Sequence, residues 1–183
     1  KQKAEGPFFR GDDATDVTDH ILGTRDLIRE RLAGLRAEAP DKEIQPVSVP
    51  TIPCLRMTRR LKAEFSLREE DVHRWCDDAI GLTGDWRKAG PVYAVPWRAL
   101  RGVENHNLQV AGRCISADRT VLDVTRAILG CAMTGTAAGT AAGLAAKQSG
   151  GDLGSLSAAE LQERLKSEGA LLDPDLVKAL PAD

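Results

Sequence analysis

Aromatic side chains are scarce in this chain, at 4% of 183 residues. The three tryptophans, at 75, 86 and 97, read as core or rim packing rather than as a stacking platform. Strong charge of either sign is also missing. A formal net charge of −2 supplies no electrostatic pull toward nucleic acid and no polybasic anchor for a membrane surface. Cysteine is sparse and scattered, at positions 54, 76, 114 and 131, which excludes the disulfide framework of a small secreted domain. His73-x-x-Cys76 has no second ligand pair at metal-site spacing, so zinc is not expected and the cysteines read as buried free thiols. No initiator Met and no apolar signal region opens the chain. The expectation is a start inside a longer polypeptide and a cytoplasmic location. Finally, no G-x-G-x-x-G loop appears anywhere, so the usual cradle for a dinucleotide pyrophosphate is absent.

What is present suits a soluble globular domain with a true core, at 42% hydrophobic and 28% charged residues. Residues 1–17 read as a linker or the tail of a preceding element. From Thr18 to about Ala39, the residues Ile21, Leu22, Ile28, Leu32 and Leu35 recur at helical spacing, with Asp16 or Thr18 as cap and Pro40 as stop. Residues 44–52 alternate apolar and polar but are cut by prolines, which predicts an edge strand. Ser66-Leu-Arg-Glu69 matches a capping box and predicts a helix through Val72 and Trp75. Residues 81–90 are glycine-rich and read as a loop, and residues 92–100 as extended chain. Ser157-Ala-Ala-Glu160 is a second capping box, opening a helix that should end near Gly169.

The most informative stretch lies between these. Asn107-Leu-Gln-Val-Ala-Gly112-Arg113-Cys114-Ile-Ser116 reads as a strand stopped by glycine. A short loop then leads to Thr134-Gly135-Thr-Ala-Ala-Gly139-Thr-Ala-Ala-Gly143, a helix made of Ala, Gly and Thr. With so little side-chain bulk, its backbone can approach something large and flat. The Gly135-x-x-x-Gly139-x-x-x-Gly143 spacing also occurs in membrane helix pairs. Alanine, glycine and threonine contribute little insertion energy, however, so a membrane span is not expected.

This stretch resembles the flavin-closing segment of the large bacterial FAD-dependent oxidoreductase family. That family carries V-A-G-R-C-I-S-A followed by an A-A-G-T-A-A helix. Its common I-R-V-M-P-T-C-M-A-L-G-Q-A-A-G-T-A-A run is matched here by Thr125-Arg126-Ala127-Ile128-Leu129-Gly130-Cys131 and the helix that follows. Upstream, Leu55-Arg-Met-Thr-Arg59-Arg60-Leu is similar to the family's R-E-S-R-R-I, and Tyr93-Ala-Val-Pro96-Trp97-Arg98-Ala-Leu to its Y-x-I-P-Y-R-x-L. The likeness covers about residues 18–172.

The resemblance implies FAD as cofactor and an α/β fold: the C-terminal part of a glutathione-reductase-like FAD-binding fold, plus a mixed α+β substrate and cap region. Residues 18–106 would be that cap region and 107–183 the flavin-binding part. Gly112 and Arg113 would lie along the ribityl–phosphate part of FAD. Arg126, Ala127, Ile128 and Leu129 would line the pyrimidine edge of the ring. In the more distant succinate dehydrogenase relatives, backbone amides reach flavin N1 and O2 at that place. Arg59 and Arg60 suit a clamp on a substrate carboxylate, since guanidinium binds carboxylates through two parallel bonds; structural salt bridges suit them equally.

Two departures stand out. The family's T-H-E after I-S-A is Asp118-Arg119-Thr120 here, and its usual proline is Leu129. Catalytic residues therefore do not carry over. The implied role is part of an oxidoreductase acting on an organic small-molecule substrate. Its dinucleotide-binding half would come from the same chain, a cleaved fragment or a partner subunit. The alternative is a non-catalytic assembly subunit that keeps the scaffold without flavin.

Overall fold

The computed structural model describes residues 9–50 and 57–179. The chain divides into two compact units, residues 1–59 and 60–183.

The first unit is built around one helix, α1 (Ala14–Glu38). Its start lies four residues before the expected Thr18, because Asp13 is the cap, accepting bonds from the amides of Thr15 and Asp16 at 2.8 and 3.1 Å. No residue of α1 is buried; Ile21, Ile28, Leu32 and Leu35 are half-buried and Leu22 is exposed. The expected edge strand does not form over residues 44–50, and its last two residues lie outside the described ones. Pro46 and Pro50 withhold donors from any ladder, and Val47 is fully exposed.

The second unit holds the core. A hairpin of β1 (Ala79–Gly84) and β2 (Val92–Pro96) is antiparallel and pairs Leu82 with Ala94. Helices α2 (Arg119–Thr125), α3 (Ile128–Gln148) and α4 (Ala158–Ser167) follow. Four helices and a two-stranded sheet make a mixed α/β architecture among the described residues. Trp97, Leu100, Ile115, Val121, Val124, Leu161 and Leu165 are fully buried between them. The glycine-rich 81–90 segment is thus half strand. Gly81 is needed where β1 passes α3, since a Cβ there would sit 2.3 Å from Met133 Cγ.

The capping box at Ser66 does not open a helix. Leu67 is buried, its amide bonds the Ser116 carbonyl at 3.0 Å, and its carbonyl receives the Asp118 amide at 2.8 Å. Residues 61–67 run extended between 98–103 and 114–118, and only a 3-10 turn forms at Glu69–Asp71. The strand expected at 107–111 reduces to a single bridge, Gln109 with Arg101. Gln109 does more through its side chain. It accepts from Trp97 Nε1 at 3.2 Å and donates to the Ala138 carbonyl at 2.7 Å, tying buried ring to helix α3.

Helix α3 packs by a stripe of Gly130, Thr134, Ala137, Ala141 and Ala145, all buried. The glycines 135, 139 and 143 are exposed, and a Cβ on any of them meets nothing within 4 Å. Alanine and threonine, not the glycine triplet, therefore make the close contact. By length and composition α3 is long and apolar enough to cross a membrane; here its buried stripe meets β1 and α4.

Candidate functional site

The α2–α3 junction brings together most of the residues singled out from the sequence. Asp118 caps α2, accepting from the Val121 amide at 2.8 Å, and its second oxygen receives the Glu69 amide at 3.2 Å. The altered 118–120 segment thus serves the fold. Helix α2 ends at Thr125 and α3 starts at Ile128, so only Arg126 and Ala127 connect them. So short a turn forces backbone against backbone. A Cβ at Gly130 would lie 2.3 Å from the Thr125 carbonyl oxygen, which is why glycine stands there.

Ala127 is the N-cap of α3, and among the described residues no side chain caps that end. The first amides of a helix have no partner within it and carry the positive end of its dipole. The alanine at the N-cap of this 21-residue helix has no side-chain acceptor to offer those donors. Ile128 and Leu129 beside them are 87% and 83% exposed, a costly placement for large apolar groups unless something covers them. Thr125 adds a third sign of incompleteness. Its hydroxyl is buried and has no hydrogen-bond partner among the described residues, whereas interior polar atoms are nearly always paired.

Gly112 is held against the same turn. Its backbone has φ +73°, in the left-handed region that a side chain disfavours. Its amide donates to Thr134 Oγ1 at 2.9 Å, and that hydroxyl donates to the Gly130 carbonyl at 2.8 Å. Gly112 and Cys131 are also neighbours, with Cys131 Sγ 3.5 Å from where a Gly112 Cβ would be. Arg113, next in the same 3-10 turn, is exposed. Arg126 is bonded through Nε and one terminal nitrogen to Asp123 Oδ1, at 2.8 and 2.5 Å. Arg59 and Arg60 fall in different units. Arg59 donates to the Asp12 carbonyl at 3.3 Å and Arg60 to the Ala117 carbonyl.

A family model described as FAD dependent oxidoreductase matches residues 4–165. The chain belongs to this FAD-dependent oxidoreductase family. Membership implies FAD as cofactor and an FAD-dependent redox role. No curated protein and no solved structure gives a significant match.

In an FAD-dependent oxidoreductase, helix-start amides without a side-chain cap are donors of the kind that suits a ring edge gaining electron density on reduction. A left-handed glycine turn allows close backbone approach. The pyrophosphate is a different matter, since the chain has no glycine loop to hold it.

Sequence reasoning missed the residues that brace this junction. The hairpin loop between β1 and β2 sends Trp86 and Arg87 to the end of α2. Trp86 Nε1 donates to the Asp123 carbonyl at 2.9 Å, and Arg87 bonds the Asp123 carboxylate at 3.3 Å. Arg87 is itself fixed by Asp85 at 2.7 and 2.8 Å. The guanidinium holds the Asp85 carboxyl down to about 2. Nothing in a loop sequence marks such a brace, because its partners are 36 residues apart.

The thiols differ in a way that can be measured. Burial, reinforced by the Asp78 charge, pushes Cys76 up to about 12, while Cys114, contrary to the expectation of buried thiols, is exposed on the 3-10 turn that Gly112 opens. Thiolate is the reacting form. Brief alkylation of the native protein at pH 8, read by peptide mass spectrometry, should label Cys114 at least ~100-fold faster than Cys76. Equal labelling of the two would show that the β2 side of the hairpin opens in solution.

Proposed function

We propose that this chain forms the flavin-closing part of a glutathione-reductase-like FAD-dependent oxidoreductase, and that the start of α3 meets the pyrimidine edge of the ring. The observation that supports the reading is the helix start at Ala127, which has no side-chain cap among the described residues; on this reading the amides of Ile128 and Leu129 go to the flavin. Bound FAD supplies transfer of a hydride or electron pair between an organic substrate and an acceptor. Gly112 lets the backbone approach the ribityl chain, and Arg113, exposed beside it, reaches its oxygens or the pyrophosphate. Arg126 adds positive charge at the ring edge. The dinucleotide-binding half comes from elsewhere in the same chain, from a cleaved fragment or from a partner subunit. Ile128 and Leu129 are covered when the two halves meet.

Ala127→Asp tests this by setting stability and cofactor binding against each other. An aspartate at an N-cap accepts bonds from the next amides and stabilises a helix by about 1 kcal/mol. The same carboxylate takes the donors assigned to FAD and opposes negative charge at the ring. The variant should melt at a higher temperature without FAD, yet bind FAD at least ~10-fold more weakly, a difference of about 1.4 kcal/mol. Unchanged FAD affinity in a folded variant would remove the α3 start from the site.

A further inference from the structure

Beyond the junction itself, four charged side chains form one connected line with alternating sign. Asp85 is almost wholly buried, its side chain 3% exposed, and grips Arg87 through both carboxylate oxygens. Arg87 reaches Asp123 Oδ2 at 3.3 Å, and Asp123 Oδ1 receives Arg126 at 2.5 Å. Arg87, Asp123 and Arg126 are only 33%, 25% and 18% exposed, so solvent screens them less than it would a surface pair. The consecutive residues Trp86 and Arg87 hold both the main-chain carbonyl and the carboxylate of Asp123. This fixes the last turn of α2 from two directions. The bond to Asp123 occupies Nε and one terminal nitrogen of Arg126, and a guanidinium has five N–H donors, so capacity is left for a ligand.

The geometry points to Asp85, Arg87 and Asp123 as positioning residues that set how much positive charge Arg126 presents to the flavin. This rests on the proposed placement of the ring edge at the α3 start. Asp123 is shared between two cations. Each pulls on the same carboxylate, so the share taken by Arg87 decides how fully Arg126 is neutralised. Removing Arg87 leaves more of the carboxylate to Arg126 and lowers its effective charge. Removing the Asp123 charge does the reverse. Positive charge near the ring favours the reduced, more anionic flavin.

The experiment measures the midpoint potential of the intact FAD-loaded protein and four variants. Asp123→Asn should raise the potential and Arg87→Gln should lower it, each by the equivalent of a roughly tenfold change in the reduction equilibrium, about 30 mV for two electrons. Arg87→Lys, which keeps the charge, should restore most of the shift; if Arg87→Gln fails to hold flavin, the rise expected of Asp123→Asn carries the test. Loosened packing alone cannot move the two potentials in opposite directions. Arg126→Gln separates the two levels of the argument. If it lowers the potential while the Asp123 and Arg87 variants shift nothing or shift together, the charge line is wrong and the site stands. If Arg126→Gln also leaves the potential unchanged, the ring-edge assignment fails and this inference with it.

Discussion

Gly130→Ala is expected to destabilise the protein although it replaces glycine by the best helix former inside a helix. Helix propensity alone would add about 1 kcal/mol of stability. Against this stands a Cβ only 2.3 Å from the Thr125 carbonyl oxygen and 3.1 Å from its carbon. The obstacle is backbone at the end of α2, held by bonds from Arg126 to Leu122 and from Ala127 to Val124, so no side chain can swing aside. Overpacking of this kind costs roughly 3 kcal/mol, leaving a net loss of about 2 kcal/mol. A melting curve should show this as a fall of roughly 4–8 °C. Gly139→Ala is the matched control on the same helix. Open space surrounds its Cβ, so propensity acts unopposed and the melting temperature should rise. A neutral Gly130→Ala would mean that the α2–α3 turn is looser than described. A destabilising Gly139→Ala would mean that the glycine face of α3 is covered in the complete molecule.

The pair of capping boxes shows what the sequence could and could not disclose. Ser157 and Glu160 exchange their bonds as the motif requires, with the Glu160 amide on Ser157 Oγ at 3.2 Å and the Ser157 amide on Glu160 Oε2 at 3.3 Å, and α4 forms there. Ser66 and Glu69 have the same spacing, but Leu67 between them is drawn into the core and its backbone is taken by Ser116 and Asp118. A motif worth about 1 kcal/mol yields to burial of a leucine and two long-range backbone bonds. The β1 strand was hidden for a related reason. Gly81 looks like loop punctuation, and its purpose, room for Met133, exists only once α3 is in place. Helices α1 and α3 were legible because their determinants are local. At the site, Arg126 to Leu129 and Gly112 came from resemblance, and the fold gathers them around one turn. Asp85, Arg87 and Asp123 could not be anticipated, since a bond between Arg87 and Asp123 has no period or spacing to reveal it.

Gly112→Trp should abolish the flavin absorption band of the intact protein while leaving the fold in place. Gly112 already has φ +73°, so any side chain there adds backbone strain of about 1–2 kcal/mol. Gly112→Ala measures that strain alone. Its Cβ would sit 3.5 Å from Cys131 Sγ, an ordinary contact, so the alanine variant should lose a little stability and keep its colour. The tryptophan variant carries the same strain and adds a large ring at the turn that the Thr134 hydroxyl ties to the first turn of α3. If the cofactor passes there, the ring occupies its path and binding falls by far more than the strain accounts for. Circular dichroism comparable to the alanine variant, together with a colourless protein, is the expected result. A folded tryptophan variant that stays yellow would place the flavin away from Gly112, and the small-residue helix would then owe its composition to packing against β1 and α4.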